Sequence, residues 1–117
     1  MECLIAAVKG GADAVYFGAG AFNARARAGN FDSDSLIEAV RYCHSYGRKA
    51  YVTLNTAIKE RELCDALALA SEIYAAGADA VICADLGLIS EIRKQLPDLE
   101  VHISTQAGVR STEGAKY

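Results

Sequence analysis

Two spacings of apolar residues alternate along this chain of 117 residues. Apolar residues three or four positions apart are typical of an amphipathic helix, whereas short β-branched or aromatic runs are typical of a buried strand. The helical spacing predicts helices at residues 33–46, 59–76 and 86–96, with residues 1–9 as the end of another. The apolar runs predict strands at residues 14–17, 50–54, 80–83 and 101–103.

Residues at the helix ends support these boundaries. Asp32 or Ser33 can accept a hydrogen bond from a free backbone N–H where the first full helix begins. Gly47 and Gly77 stand where left-handed C-caps are expected, and Pro97 follows the last helix. Four short apolar strands alternating with helices favour a parallel sheet with right-handed crossovers. We therefore predict a single α/β domain whose strands have no solvated face.

The sequence Gly-Ala-Asp-Ala-Val occurs twice, at residues 11–15 and 77–81. In each copy the glycine ends a helix, the aspartate turns the chain and Ala-Val begins a strand, so the motif is a helix-to-strand hinge. Ligands of α/β folds bind at the carboxyl ends of the strands, and these hinges lie at the opposite ends. We interpret Asp13 and Asp79 as structural residues.

Composition limits the possible classes of protein. With 52% hydrophobic residues the chain can bury a core, and its net charge of −3 gives no general attraction to nucleic acid or anionic membrane. No apolar run approaches the roughly 20 residues that span a bilayer, and the first residues lack a secretory signal pattern. We therefore expect a cytoplasmic protein without a membrane partner.

The four cysteines are far apart in the sequence. Cys3, Cys43, Cys64 and Cys83 form no C-x-x-C pair, so we predict no metal site made by this chain alone. Three lie in predicted helices and one in a strand, which favours small buried side chains in a reducing compartment. A contribution to an iron–sulfur site stays as the alternative.

The long loop after the first strand carries a concentration of basic and amide residues. Residues 18–30 include Asn23, Arg25 and Arg27 and contain no acidic residue. Arginine donates forked hydrogen bonds to carboxylate or phosphate, so this loop is a candidate anion-binding site, with a solvated surface as the alternative. A Rossmann fingerprint is rejected, because Asn23 stands at the position of the third glycine.

Small polar residues also follow the other three strands. Because carboxyl ends of parallel strands share one edge, we expect these side chains to converge on one rim. Each has a structural alternative: the aspartate can cap the third helix, and the others can turn or cap the backbone. The rim candidates are Asn55, Thr56, Asp85, Ser104, Thr105 and Gln106.

The two histidines are given no catalytic role. His102 lies between two apolar residues of the last strand and can face either side of the sheet, and we interpret it as a packed core histidine. His44 lies in the last turn of a helix, where the dipole favours a cation. No serine or cysteine has a sequence context that places a histidine beside it, so no nucleophile–base pair is predicted.

Five sequence blocks in order along the chain carry a resemblance to a known family. The blocks are residues 11–18 (GADAVYFG), 22–26 (FNARA), 51–56 (YVTLNT), 85–87 (DLG) and 104–106 (STQ). Together they resemble the N-terminal half of peptidase family U32, the collagenase-like proteases. This resemblance implies a TIM-like (β/α) barrel with further C-terminal segments, and a peptidase of unassigned catalytic type acting on peptide or collagen-like substrates.

The same resemblance implies a second activity. Some relatives are implicated in oxygen-independent hydroxylation of tRNA or rRNA bases, or of ubiquinone precursors, with an iron–sulfur cluster. The cysteine-rich signature of the family lies downstream of the matched blocks, so its cluster ligands are assigned to no residue here. We expect this chain to hold no cofactor, and the full-length parent to hold the cluster if the second activity applies.

The resemblance also predicts the extent of the domain. A (β/α)8 barrel takes about 250 residues, so residues 1–117 are expected to be about half of one, from a longer enzyme. A half-barrel exposes an apolar inner face and two sheet edges, and we expect it to pair with the missing C-terminal half or to self-associate.

Three functions stay open at the level of sequence. The chain is part of a U32-type peptidase, part of an RNA- or quinone-directed hydroxylase, or a non-catalytic α/β interaction module. For an enzyme, the arginines would bind a carboxylate or phosphate of the substrate and the amides would orient it. The site candidates are Asn23, Arg25, Arg27, Asn55, Asp85, Ser104, Thr105 and Gln106.

Overall fold

A computed structural model describes residues 1–24 and 31–117 of the chain. Helices and strands alternate along it, as the sequence pattern predicts. The helices are α1 (Glu2–Lys9), α2 (Ser33–Ser45), α3 (Leu63–Ala75), α4 (Leu86–Gln95) and α5 (Thr112–Lys116). The strands are β1 (Ala14–Gly18), β2 (Lys49–Leu54), β3 (Ala80–Cys83) and β4 (Glu100–Ile103).

The four strands form one parallel sheet in the order β1-β2-β3-β4. Each strand therefore pairs with the next one along the chain, and α2, α3 and α4 connect successive strands. The predicted α/β fold with four parallel strands is confirmed. Among the described residues no helix has the length and apolar character needed to cross a membrane.

The helices pack against one face of the sheet. Val52, Leu54, Val81 and Cys83 are fully buried there and belong to a core that also contains Leu36 of α2, Ile73 of α3 and Ile92 of α4. Burying such aliphatic side chains contributes roughly 1.5–3 kcal/mol each. This core fixes the positions of the four strand ends relative to one another.

The other face of the sheet, which we call the open face, carries the alternate strand residues. Side chains alternate between faces along each strand, so the residues of this face are Ala14, Tyr16, Gly18, Lys49, Tyr51, Thr53, Ala80, Ile82, Glu100 and His102. Tyr16 is 59% exposed, and Tyr51, Ile82 and His102 are half-buried. The expectation that the strands have no solvated face is therefore wrong for this face.

The predicted hinges are confirmed in backbone geometry. Gly11 and Gly77 have φ values of 91° and 84°, which glycine adopts without the steric cost that a Cβ brings. The residue after each aspartate begins a strand, at Ala14 and at Ala80. Asp79 also accepts a hydrogen bond from the Ala50 N–H at 2.7 Å, which ties the end of α3 to β2.

Two parts of the chain differ from the predicted elements. The predicted helix at 59–76 begins with a separate 3-10 turn at Glu60–Glu62, and the α-helix starts at Leu63. Helix α5 was not predicted, because it is short, polar and contains Gly114. The Ser111 side chain caps it by accepting a hydrogen bond from the Gly114 N–H at 3.1 Å.

Candidate functional site

A cavity of about 650 Å³ lies at the carboxyl ends of the strands. We call it the rim cavity. The loops after β2, β3 and β4 line it, and each contributes at least one of the polar residues that the sequence singled out. Its lining includes Asn55, Thr56, Asp85 and Gln106. The predicted convergence of polar residues on one rim is therefore present in the fold.

Asn55 connects three parts of this rim. Its Oδ1 accepts a hydrogen bond from the Ala24 N–H at 3.0 Å, and its Nδ2 donates to the Ser104 hydroxyl at 3.4 Å. The first contact ties the loop after β1 at Ala24 to the end of β2, and the second reaches across β3 to the end of β4. Asn55 thus does more than turn the chain after β2.

Asp85 has the structural role that its position before α4 suggests. Its Oδ1 accepts from the Leu88 N–H at 2.9 Å, which caps the helix, and its Oδ2 accepts from the Ile58 N–H at 3.2 Å. One carboxylate oxygen therefore holds a backbone N–H in the first turn of α4, and the other holds a backbone N–H in the loop after β2. Asp85 shapes one wall of the rim cavity.

Ser104 is buried beneath the rim. Its hydroxyl accepts a hydrogen bond from the Gln106 N–H at 3.2 Å, and its own N–H donates to the Cys83 carbonyl at 2.7 Å. The capping alternative is therefore confirmed for Ser104, which begins a 3-10 turn at Thr105–Ala107. This turn presents Gln106 to the rim cavity.

The remaining candidates lie in the loop after β1. Asn23 is 2% exposed, and its Nδ2 donates to the Gly20 carbonyl at 3.2 Å, so it supports the loop from within. Arg25 and Arg27 lie outside the described residues. Their assignment to anion binding stays a prediction from the sequence.

A second cavity lies against the open face, with a volume of about 1,070 Å³. We call it the open-face cavity. Tyr16, Thr53, Ile82 and His102 line it, and Asn55 and Gln106 line both this cavity and the rim cavity. This region was not predicted from the sequence. Alternation along β4 allowed His102 to face either side of the sheet, so the sequence pattern alone did not select this face.

The histidines both contact carboxylates. His102 Nε2 lies 2.7 Å from Glu100 Oε1, and its side chain is 38% exposed, so it is satisfied but is not the core residue that was predicted. His44 Nε2 lies 2.8 Å from Asp79 Oδ2 at the opposite end of the sheet. Within residues 1–24 and 31–117, the hydrogen bonds of these histidines do not include a serine or cysteine.

The cysteines do not fit an iron–sulfur cluster. Cys43 and Cys83 are buried in the core, while Cys3 and Cys64 are exposed on α1 and α3, which corrects the expectation that all four are buried. Burial, with a smaller effect of the Asp85 charge, raises the pKa of Cys83 to about 12, which disfavours the thiolate. The described part of the chain has no group of three or more metal-ligating side chains.

The chemistry of the rim is therefore that of neutral hydrogen bonding. The Asn55 amide, the Ser104 hydroxyl and the adjacent backbone offer donors and acceptors, while the Asp85 charge is engaged by two backbone N–H groups. Such groups recognise planar polar edges, such as an amide or a nucleobase. The Nδ2–Oγ distance of 3.4 Å is long for a hydrogen bond, so a ligand can replace this contact at low cost.

Comparison with known families gives a match along the whole chain. The model of peptidase family U32 matches residues 1–117. No solved structure matches the chain significantly.

Comparison with curated proteins gives relatives of two kinds. The chain is 41% identical over 111 residues to the 23S rRNA 5-hydroxycytidine C2501 synthase of Escherichia coli. The aligned residues cover 95% of this chain and 16% of that relative. It is 33% identical over 117 residues to a collagenase of Porphyromonas gingivalis, and the aligned residues cover 99% of this chain and 28% of the collagenase. It is 32% identical over 107 residues to tRNA hydroxylation protein P of Escherichia coli, and the aligned residues cover 92% of this chain and 24% of that protein. The chain thus spans less than a third of the length of these relatives.

Proposed function

This chain belongs to peptidase family U32, and on that premise we propose that it forms part of the substrate-binding region of an enzyme that hydroxylates a base of rRNA or tRNA. The observation that carries the proposal is the 41% identity, over 95% of the chain, to a relative named as an rRNA 5-hydroxycytidine synthase. A second relative, named as a tRNA hydroxylation protein, supports the same chemistry.

The rim geometry supports a nucleobase as the group that this chain binds. A pyrimidine edge presents carbonyl oxygens, a ring nitrogen and an exocyclic amine, and amide side chains pair with such edges. Asn55 is placed for this by its contact with the Ala24 N–H, and its Nδ2 is directed toward Ser104, which is buried beneath the rim. The role proposed for this chain is to hold and orient the base.

The redox chemistry of hydroxylation is proposed to come from outside these residues. The described cysteines are dispersed between the core and the outer helices and do not fit a cluster. If the cluster is bound elsewhere in the protein, anaerobic purification of the full-length protein gives a brown preparation with bound iron and sulfide. A colourless, iron-free preparation contradicts the cluster.

We also propose that the four-stranded sheet continues into a barrel, since a (β/α)8 barrel has eight strands.

A mass-spectrometric measurement of modified nucleosides tests the proposed function. RNA from cells that lack the gene for the full-length protein is expected to lose one hydroxylated nucleoside, and a plasmid copy of the gene is expected to restore it. An unchanged nucleoside profile in the deletion strain would overturn the proposal. Separate digestion of rRNA and tRNA identifies which RNA is the substrate.

Proteolysis is the second candidate, because a collagenase is also among the relatives. A peptide backbone amide offers the rim the same donors and acceptors as a nucleobase edge. The purified full-length protein is therefore also incubated with gelatin and with a collagen-like peptide. Cleavage of these substrates, together with an unchanged nucleoside profile, would favour the peptidase over the hydroxylase.

A further inference from the structure

The fold fixes the orientation of the Asn55 amide from both ends. Its Oδ1 accepts a hydrogen bond from the Ala24 N–H at 3.0 Å, and its Nδ2 lies 3.4 Å from the Ser104 hydroxyl oxygen. A backbone N–H can only donate, so the amide oxygen must face Ala24 and the amide nitrogen must face Ser104. With its oxygen engaged in this way, Asn55 offers the rim cavity, which it lines, an N–H donor.

The contact between Asn55 and Ser104 crosses the end of β3 above a small residue. The register that ends at Cys83 places the next residues of the three strands in one row, which consists of Asn55, Ala84 and Ser104. The side chain of Ala84 ends at its Cβ, so the Asn55 amide can reach over it. In a barrel, ligands bind at this carboxyl end, whereas packed side chains fill the layers below. The row therefore lies at the level where a ligand is expected, however many strands complete the sheet.

Ser104 is a rigid support for the Asn55 amide. It is 7% exposed, its hydroxyl accepts from the Gln106 N–H at 3.2 Å, and its own N–H donates to the Cys83 carbonyl at 2.7 Å. An amide nitrogen carries two hydrogens, and Ser104 is the partner of Asn55 Nδ2 among the described residues. The second hydrogen is therefore available to an acceptor atom of a ligand.

The geometry of a pyrimidine ring shows which acceptor suits this donor. The rRNA-modifying relative is named for 5-hydroxycytidine, in which C5 carries the new hydroxyl group. In a six-membered ring C2 and C5 are opposite each other, while C4 is adjacent to C5. A donor that holds the carbonyl oxygen on C2 leaves C5 accessible on the far side of the ring. A contact with the substituent on C4 would instead crowd the atom that reacts.

We propose that Asn55 Nδ2 donates a hydrogen bond to the O2 carbonyl of a pyrimidine base, and that Ser104 is the residue that positions this amide. The inference rests on the RNA-directed function proposed above and names the contact that orients the base. Since O2 is common to cytosine and uracil, this contact holds either base. It also turns C5 away from the rim, toward the part of the enzyme that supplies the redox chemistry.

A comparison of two RNA oligomers tests the contact. Fluorescein-labelled hexacytidylate and the same oligomer made from 2-thiocytidine, whose sulfur is a weak acceptor, are titrated with the full-length protein at pH 7.5 and fixed salt. The wild type is expected to bind the cytidine oligomer about tenfold more tightly. Asn55→Asp keeps an acceptor for the Ala24 N–H but has no donor, so its ratio of affinities should fall to about one. The ratio within one variant cancels the effect of the added negative charge on RNA binding.

Substitutions of Ser104 test its positioning role. Ser104→Ala leaves Nδ2 without its support and is expected to lower the ratio to about threefold, while Ser104→Thr keeps the hydroxyl and should restore the wild-type ratio. Ser111→Ala is the matched control, because the Ser111 hydroxyl also accepts from a backbone N–H, that of Gly114 at 3.1 Å, at the exposed start of α5. Thermal unfolding of each variant accompanies the titrations. If the extra buried methyl prevents Ser104→Thr from folding, Ser104→Ala is judged against Ser111→Ala.

Two results would overturn the O2 contact. One is equal affinity of the wild type for the two oligomers, and the other is a wild-type ratio in Asn55→Asp. A wild-type ratio in folded Ser104→Ala, or equal changes in Ser104→Ala and Ser111→Ala, would overturn the positioning role of Ser104.

The contact and the proposed function fail in different ways. If the wild-type gene restores a hydroxylated nucleoside but the wild-type protein does not distinguish the two oligomers, the O2 contact is wrong and the proposed function stands. If the wild-type protein neither binds the hexacytidylate nor restores a hydroxylated nucleoside, both are wrong.

Discussion

Asp13 and Asp79 occupy the same position in the two copies of the repeated motif, and their surroundings differ. Asp79 accepts a hydrogen bond from the buried Ala50 N–H at 2.7 Å and contacts His44 at 2.8 Å. The Asp13 side chain is fully exposed and lies 3.5 Å from Arg48. The repeat in sequence is therefore a repeat of backbone geometry, while the side chains have separate roles.

The first prediction compares these two aspartates. Asp79→Ala leaves the N–H of Ala50 buried without its acceptor and is expected to lower the free energy of unfolding by about 1–3 kcal/mol. Asp13→Ala is the matched control, and its unfolding curve is expected to overlay that of the wild type. Urea denaturation of both variants measures this. Equal destabilisation by the two substitutions would contradict the assigned roles.

The second prediction concerns the pH dependence of the Asp79 contribution. Burial opposes ionisation of Asp79, but the hydrogen bonds from Ala50 and His44, with the nearby positive charges, lower its pKa below the ordinary value of 3.8. A lowered carboxyl pKa adds stability that is complete above the unfolded pKa and disappears as the pH falls through the folded pKa.

The ionisation of Asp79 should therefore add its full stability at about pH 5, and this contribution should shrink below about pH 4. The measurement is the difference in unfolding free energy between the wild type and Asp79→Asn, which keeps the shape of the side chain but cannot ionise. A difference that stays the same down to pH 2.5 would show that ionisation of Asp79 does not stabilise the fold.

At the scale of elements, the start of α4 joins scaffold and site. Asp85 caps this helix through the Leu88 N–H and also holds the loop after β2 through the Ile58 N–H. The third prediction is that Asp85→Ala costs about 1–2 kcal/mol of stability and also weakens RNA binding by the full-length protein, because a wall of the rim cavity moves.

Asp85→Asn is the control for this prediction. It keeps one acceptor oxygen for a backbone N–H and is expected to retain most of the stability and binding. Urea unfolding and RNA titration are measured on the same preparations. If Asp85→Ala binds RNA as the wild type does, then Asp85 is a helix cap without influence on the site.

The elements that the sequence predicted well are those with a strong local signal. Strand β3 at Ala80–Cys83 was predicted, and the N-cap of α2, predicted as Asp32 or Ser33, is Asp32, since an apolar run and a capping side chain are local features. The helix α5 was missed because it has no apolar stripe. The site was predicted in outline, since the carboxyl ends of parallel strands must share an edge.

The contacts within the site were beyond sequence reasoning. The hydrogen bond between Asn55 and Ser104 joins residues 49 positions apart, and the contact between Tyr51 and His102 crosses an intervening strand. Both depend on the strand register, which a single sequence does not specify. Alternation gave two possible faces for His102, and the packing of the helices decided between them.

At the scale of the whole molecule, one face of the sheet is packed by helices and the other is open. The fourth prediction is that the 117-residue chain, isolated at 12.4 kDa, self-associates. Tyr16 on the open face is 59% exposed, Ile103 at the end of β4 is 50% exposed, and β1 and β4 are the sheet edges among the described residues. Sedimentation velocity checks it. A monodisperse monomer with a cooperative thermal transition would contradict it.

The central claim is that the carboxyl-end rim binds the RNA base, whereas the repeated hinge at the opposite end serves the fold. The most direct test is the amount of hydroxylated nucleoside, measured by mass spectrometry, in a deletion strain that carries variants of the full-length gene. Asn55→Ala, which removes a side chain that lines both cavities, is expected to restore less than about a tenth of the wild-type amount. Asp79→Asn is expected to restore the wild-type amount, and equal restoration by the two variants, with equal protein levels, would contradict the account.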